Sequence, residues 1–194
     1  MIRKTLLIFL FGIFIFPSVI KAQNVGLKTN LLTDIALSPN LGVEVKLAPK
    51  WSLEAVGEIN DWDINGHKWK HWFVQPEARY WLCDVFAGHF FGLHAIGGQY
   101  NFGNIRNGIH FLGSDFSELT HYRYQGWAAG AGLAYGYAWI LGKHWNLEAE
   151  IGIGWIYTRF DKYNCSNCGK KLESDKPHNY FGPTKAAVAL EYIF

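Results

Sequence analysis

Charged side chains recur at one parity of otherwise apolar, alternating segments, and carboxylates outnumber bases among them. Paired carboxylates beside a base could relay protons or catalyse by general acid–base chemistry. They could equally form a plug of ion pairs, since an unpartnered buried charge is strongly unfavourable. We predict the plug, centred on Glu77 and Arg79, with Glu148 or Glu150 as distant partners. The predicted set is Lys28, Asp34, Glu44, Lys46, Glu54, Glu58, Glu77, Arg79, Glu148, Glu150, Lys185 and Glu191.

The eight histidines are scattered, and no spacing among them requires a catalytic site. A hydrolase needs a histidine beside a nucleophile or an orienting carboxylate. The enzymatic alternative is therefore an outer-leaflet lipid or peptide hydrolase that uses rim residues. Its candidates are His71, His94 or His121 with Glu118 or Asp115.

Cys165 and Cys168 form a CxxC motif within a long predicted loop. A redox motif would lie near a βαβ unit, and a zinc ribbon would need a second pair, neither of which the sequence contains. In an exported protein a local disulfide is the expected state. A metal half-site completed by His178 is the alternative, and Cys83 is left over. We predict no metal site and no cofactor.

Eight alternating segments must position these residues. Period-two alternation places neighbouring side chains on opposite faces of a strand, and each segment is near or above the roughly 9 to 11 residues that a tilted membrane strand needs. The sequence thus predicts an all-β fold, an eight-stranded antiparallel transmembrane β-barrel. The segments are 24–37, 40–48, 51–60, 69–82, 88–102, 123–140, 144–158 and 181–194.

The connections between these segments alternate in length. Short links at 49–50, 83–87 and 141–143 alternate with longer ones at 61–68, 103–122 and 159–180, apart from a short link around Ser38 and Pro39. This pattern is typical of outer-membrane barrels with short periplasmic turns and longer external loops.

The N-terminus carries Arg3 and Lys4, an apolar run over 5–16, and small residues that end at Ala22. This predicts a secretory signal peptide over 1–22 and a barrel domain over 23–194. No other stretch has the roughly 18 apolar residues of a membrane helix. The net charge of +2 gives no support for binding nucleic acid.

Aromatic residues are abundant, with nine Trp, ten Tyr and fourteen Phe, as in barrels with interfacial girdles. In the last segment Lys185 and Glu191 lie opposite an apolar face that ends on Tyr192 and Phe194. We interpret Tyr192 and Phe194 as a C-terminal signal for the barrel-assembly machinery.

Seven strings together resemble an uncharacterised family of small exported barrels, a domain of unknown function. The resemblance implies a Gram-negative outer-membrane location and an architecture similar to OmpA and OmpX, with no established activity or catalytic residues. The strings are VGLKTNLL (25–32), PNLGVE (39–44), QPEARYWLC (75–83), GHFFGLH (88–94), RYQGW (123–127), WNLEAEIGIG (145–154) and GPTKAAVALEYIF (182–194).

We therefore predict a non-enzymatic barrel in contact with outer-membrane lipid, whose external loops serve a structural role or contact a surface protein or glycan. The hydrolase and a narrow pore are the functional alternatives. A soluble barrel with its apolar face turned inward is the structural competitor.

Overall fold

The computed structural model describes residues 24–64, 67–104, 110–111, 114–115, 121–164 and 169–194. Eight strands of this part close into an antiparallel barrel, so the predicted all-β, eight-stranded fold is confirmed. The barrel strands are β1 (Val25–Asn30), β2 (Asn40–Ala48), β3 (Trp51–Ile64), β4 (His67–Trp81), β5 (Gly88–Gly103), β8 (Arg123–Ile140), β9 (Trp145–Tyr163) and β10 (Lys171–Ile193). Their order around the ring is β1, β10, β9, β8, β5, β4, β3, β2.

Two short strands, β6 (His110–Phe111) and β7 (Ser114–Asp115), pair with each other in the connection between β5 and β8. One short helix, α1 (Leu31–Ile35), follows β1. No helix in the described part of the chain is long and apolar enough to cross a membrane.

The predicted first strand, 24–37, is wrong beyond Asn30, where β1 ends. The Asn30 side chain accepts a hydrogen bond from the Leu32 backbone N–H and so caps the start of α1. Asp34 then lies on the helix, where it accepts hydrogen bonds from Thr29 Oγ1 at 2.6 Å and Asn40 Nδ2 at 2.8 Å. The helix cap at Asn30 therefore prevents residues 31–35 from continuing the strand that their alternating pattern predicts.

Two of the predicted long loops are mostly strand. The β3–β4 ladder continues to the pair Ile64 and His67, and the β9–β10 ladder continues to Tyr163 and Lys171 through two irregularities in register. In the β9–β10 extension the side chains are polar or mixed on both faces, so alternation did not reveal it. The β3–β4 extension still alternates, with Trp62 between Asp61 and Asp63, and its strands continue past the predicted ends. The long connections and the short turns nevertheless lie at opposite ends of the barrel.

Burial is inverted relative to an ordinary globular protein. The outward face exposes large apolar side chains, such as Leu133 at 65 % and Ile151 at 64 % exposed. The lumen buries ionisable ones. The buried charged residues are Lys28, Glu44, Glu54, Glu77, Arg79, Glu148, Glu150, Lys185 and Glu191.

An aromatic floor closes the lumen at the short-turn end. The turn between β4 and β5 carries Val85 and Phe86 against Trp81 and Phe90, all of them buried. Phe86 adopts a positive φ of 73°, a backbone conformation that non-glycine residues rarely take. The Trp81 indole donates a hydrogen bond to Ser52 Oγ at 2.8 Å, so the polar group of this ring is satisfied.

Candidate functional site

Arg79, on β4, is the centre of a charge network in the lumen and is fully buried. Its guanidinium is within 3.0 Å of five carboxylates, and a planar group with five N–H donors suits such multiple contacts. The partners are Glu77 at 2.6 Å, Glu44 and Glu150 at 2.7 Å, Glu54 at 2.8 Å and Glu148 at 3.0 Å.

Arg79 also lies 4.4 Å from the centroid of the Phe90 ring. A guanidinium over an aromatic face is attracted by the negative face of the ring. The charge network is therefore in direct contact with the aromatic floor, and this contact stabilises both layers.

Two lysines complete the positive side of the network. Lys28 Nζ, from β1, lies 2.6 Å from Glu44, 2.8 Å from Glu54, 3.1 Å from Glu148 and 3.4 Å from Glu191. Its ammonium thus links β1 to its neighbour β2 and to the more distant strands β3 and β9.

Lys185 lies among three buried carboxylates whose oxygens are close enough together to hold a metal ion. Its Nζ is 3.0 Å from Glu54, 2.8 Å from Glu77 and 3.0 Å from Glu150. The lysine ammonium therefore occupies the position that a cation would take between these three side chains.

Carboxylates exceed cations in this network. Six buried glutamates face Lys28, Arg79 and Lys185. Glu191 is the least compensated, because neither of its oxygens has a hydrogen-bond partner among the described residues and its nearest cation is 3.4 Å away. Burying a charge is unfavourable unless the charge is well paired. Glu191 is therefore the glutamate whose burial destabilises the network most.

Glycines on the inner wall make room for the network. A Cβ at Gly92 would lie 2.5 Å from Glu77 Oε1, and a Cβ at Gly26 would overlap Glu191 Oε1. A side chain at either position would displace the neighbouring carboxylate, which gives a packing reason for glycine inside these strands.

Of the twelve predicted lumen residues, nine lie in the buried network and three do not. Asp34 lies on α1, as described above. Lys46 is half-buried opposite Ser52, level with the aromatic floor, and makes no ion pair within the described part of the chain. Glu58 lies towards the long-connection end and contacts His71 Nε2 at 2.8 Å.

His94 also lies buried in the lumen, although it is not among the twelve residues that the alternation predicts there. Its Nε2 is 2.8 Å from Thr184 Oγ1, and its Nδ1 is 3.7 Å from Glu77 Oε2. A Cβ at Gly132 or Gly152 would lie within 3.0 Å of its imidazole, so two strands leave space for the ring. His94 has the same strand parity as Phe90 and Gly92, so its inward position could be predicted from the sequence. Its contact with Thr184 could not, because the two residues are far apart in the chain.

The C-terminal aromatics lie at the short-turn end. Tyr192 packs against Trp145 and Phe194, each with ring centroids 5.0 Å apart, and the Phe194 backbone N–H donates to Val25 O at 2.9 Å. Residues 1–22, Cys165, Cys168 and Glu118 lie outside the described residues. Cys83 is an exposed free cysteine.

The fold and the lumen define a class, small closed all-β barrels with an interior of paired charges. Residues 6–194 match the family described as a protein of unknown function, DUF3575, and the chain belongs to this family. The predicted membership of a family of unknown function is thereby confirmed. No curated protein and no solved structure matches the chain.

Proposed function

We propose that this chain is a non-enzymatic integral outer-membrane barrel with a closed lumen. Its extended strands and external connections would serve a structural role or contact a surface protein or glycan. The observation that carries the proposal is the inversion of burial, with Arg79 and five glutamates at the centre and aliphatic side chains on the outside. Water would be an unfavourable solvent for that outer face, whereas lipid tails would be a favourable one.

The spacing of exposed tryptophans supports this proposal. Trp127 and Trp139 lie at the two ends of the outward face of β8. At about 3.3 Å per residue and a tilt of about 40°, this part of the strand spans about 30 Å along the barrel axis. That length is close to the roughly 30 Å hydrocarbon thickness of a bilayer, so the rings would lie at the two interfaces.

The closed lumen favours an anchor over a narrow pore. The charge network and the aromatic floor are two successive layers across the interior. We expect the wild-type protein to be silent in planar bilayers, and Arg79→Ala to open conductance if the plug is what closes it. Steady wild-type conductance would favour the pore.

Fractionation tests the proposed location directly. The chain, expressed with its own N-terminus in a Gram-negative host, should sediment with outer membranes, resist extraction by high salt and dissolve in detergent. The folded barrel should migrate differently on gels before and after boiling. Release by salt, or recovery in the aqueous fraction, would contradict the proposal.

A hydrolase is a second candidate because of the contact between His94 and Thr184. With one proton of His94 on Nδ1, Nε2 could accept the hydroxyl proton of Thr184 as Oγ1 attacks an ester carbonyl. The same proton would pass to the leaving alkoxide as the ester C–O bond breaks, and water would then hydrolyse the acyl-threonine ester. Thr184 lines a lumen cavity of about 180 Å³. However, Glu77 is beyond hydrogen-bonding distance of Nδ1 and already contacts Arg79. Labelling by a fluorophosphonate in wild type but not in Thr184→Ala would favour the enzyme, and no labelling in either would end this candidate.

A further inference from the structure

A cleft on the outer wall of the barrel combines a polar upper half with an apolar lower half. The upper cavity, towards the long connections, has a volume of about 510 Å³, and the lower one has about 600 Å³. Trp72, Gln99 and Trp127 line both cavities, so the two are continuous. Most other lining residues belong to the outward parity of β3, β4, β5, β8 and β9.

The lower half is a shallow, mainly apolar depression in which a hydrocarbon chain could lie along the barrel wall. Small residues of β5 and β8, including Ala95, Gly97 and Ala129, form its floor. A Cβ built at Gly97 meets no atom within 4 Å, which shows open space above the strand. Trp72 and Trp127, 45 % and 42 % exposed, stand on the two strands that flank β5. Strands two positions apart are separated by about 10 Å, enough for one chain to lie between them.

The upper half offers hydrogen-bonding groups without excess positive charge. Lys70 is paired with Asp61 at 2.6 Å, and Arg159 with Asp175 at 2.7 Å. Asp161 also lines the cavity and is paired with Lys171 at 2.6 Å, so the charges around this half are balanced. Arg159 Nε has no hydrogen-bond partner among the described residues, but Lys70 and Arg159 are both paired with carboxylates. An anionic phosphate would meet those carboxylates, whereas a neutral hydroxyl group could accept from Arg159 Nε without this repulsion.

Amide side chains indicate what that neutral ligand would be. Gln99, Asn101 and Gln125 line the upper cavity, and each can both donate and accept hydrogen bonds. Asn101 Oδ1 is buried and has no hydrogen-bond partner among the described residues. Buried polar atoms normally have partners, so a donor from a ligand hydroxyl would satisfy this oxygen. Hydroxyl groups of a sugar, next to tryptophan rings, match these features.

We propose that this cleft binds one glycolipid, with its sugar headgroup in the upper half and an acyl chain in the lower half. The inference rests on the proposed membrane location and adds a ligand class to it. In a membrane the two tryptophans would lie at the interface, the depth at which a lipid changes from headgroup to chain.

Quenching of tryptophan fluorescence by brominated lipids tests the proposal. The full chain is reconstituted into phosphatidylcholine vesicles that contain a minor fraction of a glycosyl diacylglycerol with brominated chains. Retention of this lipid beside Trp72 and Trp127 should give more quenching than random mixing would. The same fraction of brominated phosphatidylcholine should give no excess.

Gly97→Leu should fill the lower half and abolish the excess quenching. Gly57→Leu is the matched control, because a Cβ there also meets no atom within 4 Å but the residue does not line either cavity. It should retain the excess. Gel migration before and after boiling would show that both variants fold. Asn101→Ala should remove the preference for the sugar headgroup.

Two results would overturn the inference. Equal excess from brominated phosphatidylcholine would exclude recognition of the sugar, and an excess that is absent in wild type or unchanged in Gly97→Leu would exclude the cleft. Flotation of the same vesicles measures whether the protein is bound to lipid at all, and so distinguishes these two results from a failure of the proposed membrane location. Protein that does not float with lipid would contradict the membrane barrel itself, and the lipid site with it.

Discussion

The ammonium of Lys185 on β10 lies 2.8 Å from Glu77 Oε2 on β4. These strands are four positions apart in a ring of eight, so the contact joins opposite walls of the barrel. Arg79 extends the connection to β2, β3 and β9. The network therefore links opposite strands across the interior, where most globular proteins have an apolar core.

Removal of the central cation should be severely destabilising. Arg79→Ala leaves five buried carboxylates without their shared partner, and the free energy of unfolding should fall by about 3 to 5 kcal/mol or more. Urea unfolding in detergent micelles measures the change. Arg159→Ala is the matched control. Its side chain is 40 % exposed and paired at the surface, so the loss should stay within about 1 kcal/mol. Equal losses would argue against the role of the network in linking opposite strands.

Neutralising Glu191 should be tolerated. Glu191→Gln removes a buried charge that lacks a hydrogen-bond partner among the described residues, so stability should be unchanged or higher. Glu54→Gln should instead lose about 1 to 3 kcal/mol, because Glu54 contacts Lys28, Arg79 and Lys185. The two variants are compared by the same unfolding experiment. The reverse order would show that the charge balance described here is wrong.

A single methyl group at Gly92 should disturb the network. The added Cβ would lie 2.5 Å from Glu77 Oε1, and Gly92→Ala should cost about 1 to 3 kcal/mol through overpacking. Gly57→Ala, which adds the same group in open space, should change stability little. Thermal unfolding followed by circular dichroism would detect the difference, and identical midpoints would count against close packing at Glu77.

A charge on the outer face should be costly only within the proposed membrane span. Leu133→Arg places a charge at mid-height of β8, and folding into lipid vesicles should lose about 2 to 4 kcal/mol. Leu172→Arg lies in the outer extension of β10, is similarly exposed in the wild type at 49 %, and should fold normally. If Leu133→Arg also folds normally in vesicles, lipid does not surround this face.

Acid should loosen the outer end of the β9–β10 hairpin. A hydrogen bond from Lys171, together with one from the Asp175 backbone N–H, holds the pKa of Asp161 below its ordinary value. A depressed folded pKa contributes stability above the unfolded value of about 3.9, and this is lost as pH falls through the folded pKa. Hydrogen exchange at residues 160–164 and 171–176, corrected for intrinsic rates, should accelerate over that range. Asp161→Asn should exchange quickly at every pH.

The assignment of side chains to the inner or the outer face could largely be predicted, because it depends only on their positions within a strand. Glu44, Glu148 and Glu191 were assigned to the inner face from alternation alone, since successive side chains of any strand point to opposite faces. The same rule did not reveal the β9–β10 extension, which has no continuous apolar face. It also misplaced Asp34, because Asn30 caps a helix at that point.

The partners within the lumen could not be predicted in the same way. His94 meets Thr184, and Arg79 meets Glu150, only because the ring closes with a particular register between strands. Alternation gives the face of a residue but not its height along the barrel axis. The cleft between Trp72 and Trp127 depends on the same register, since Gln99 lies opposite both residues in its two ladders.

The sequence by itself determined that the charged side chains share one face of the strands and the large apolar side chains the other, because successive side chains of a strand point to opposite faces. Only the tertiary structure decided which charges meet, how the turn with Val85 and Phe86 closes one end, and where an amphipathic cleft crosses the wall. Those features join residues far apart in the chain. Their positions follow from closure and register of the whole barrel, which no single segment encodes.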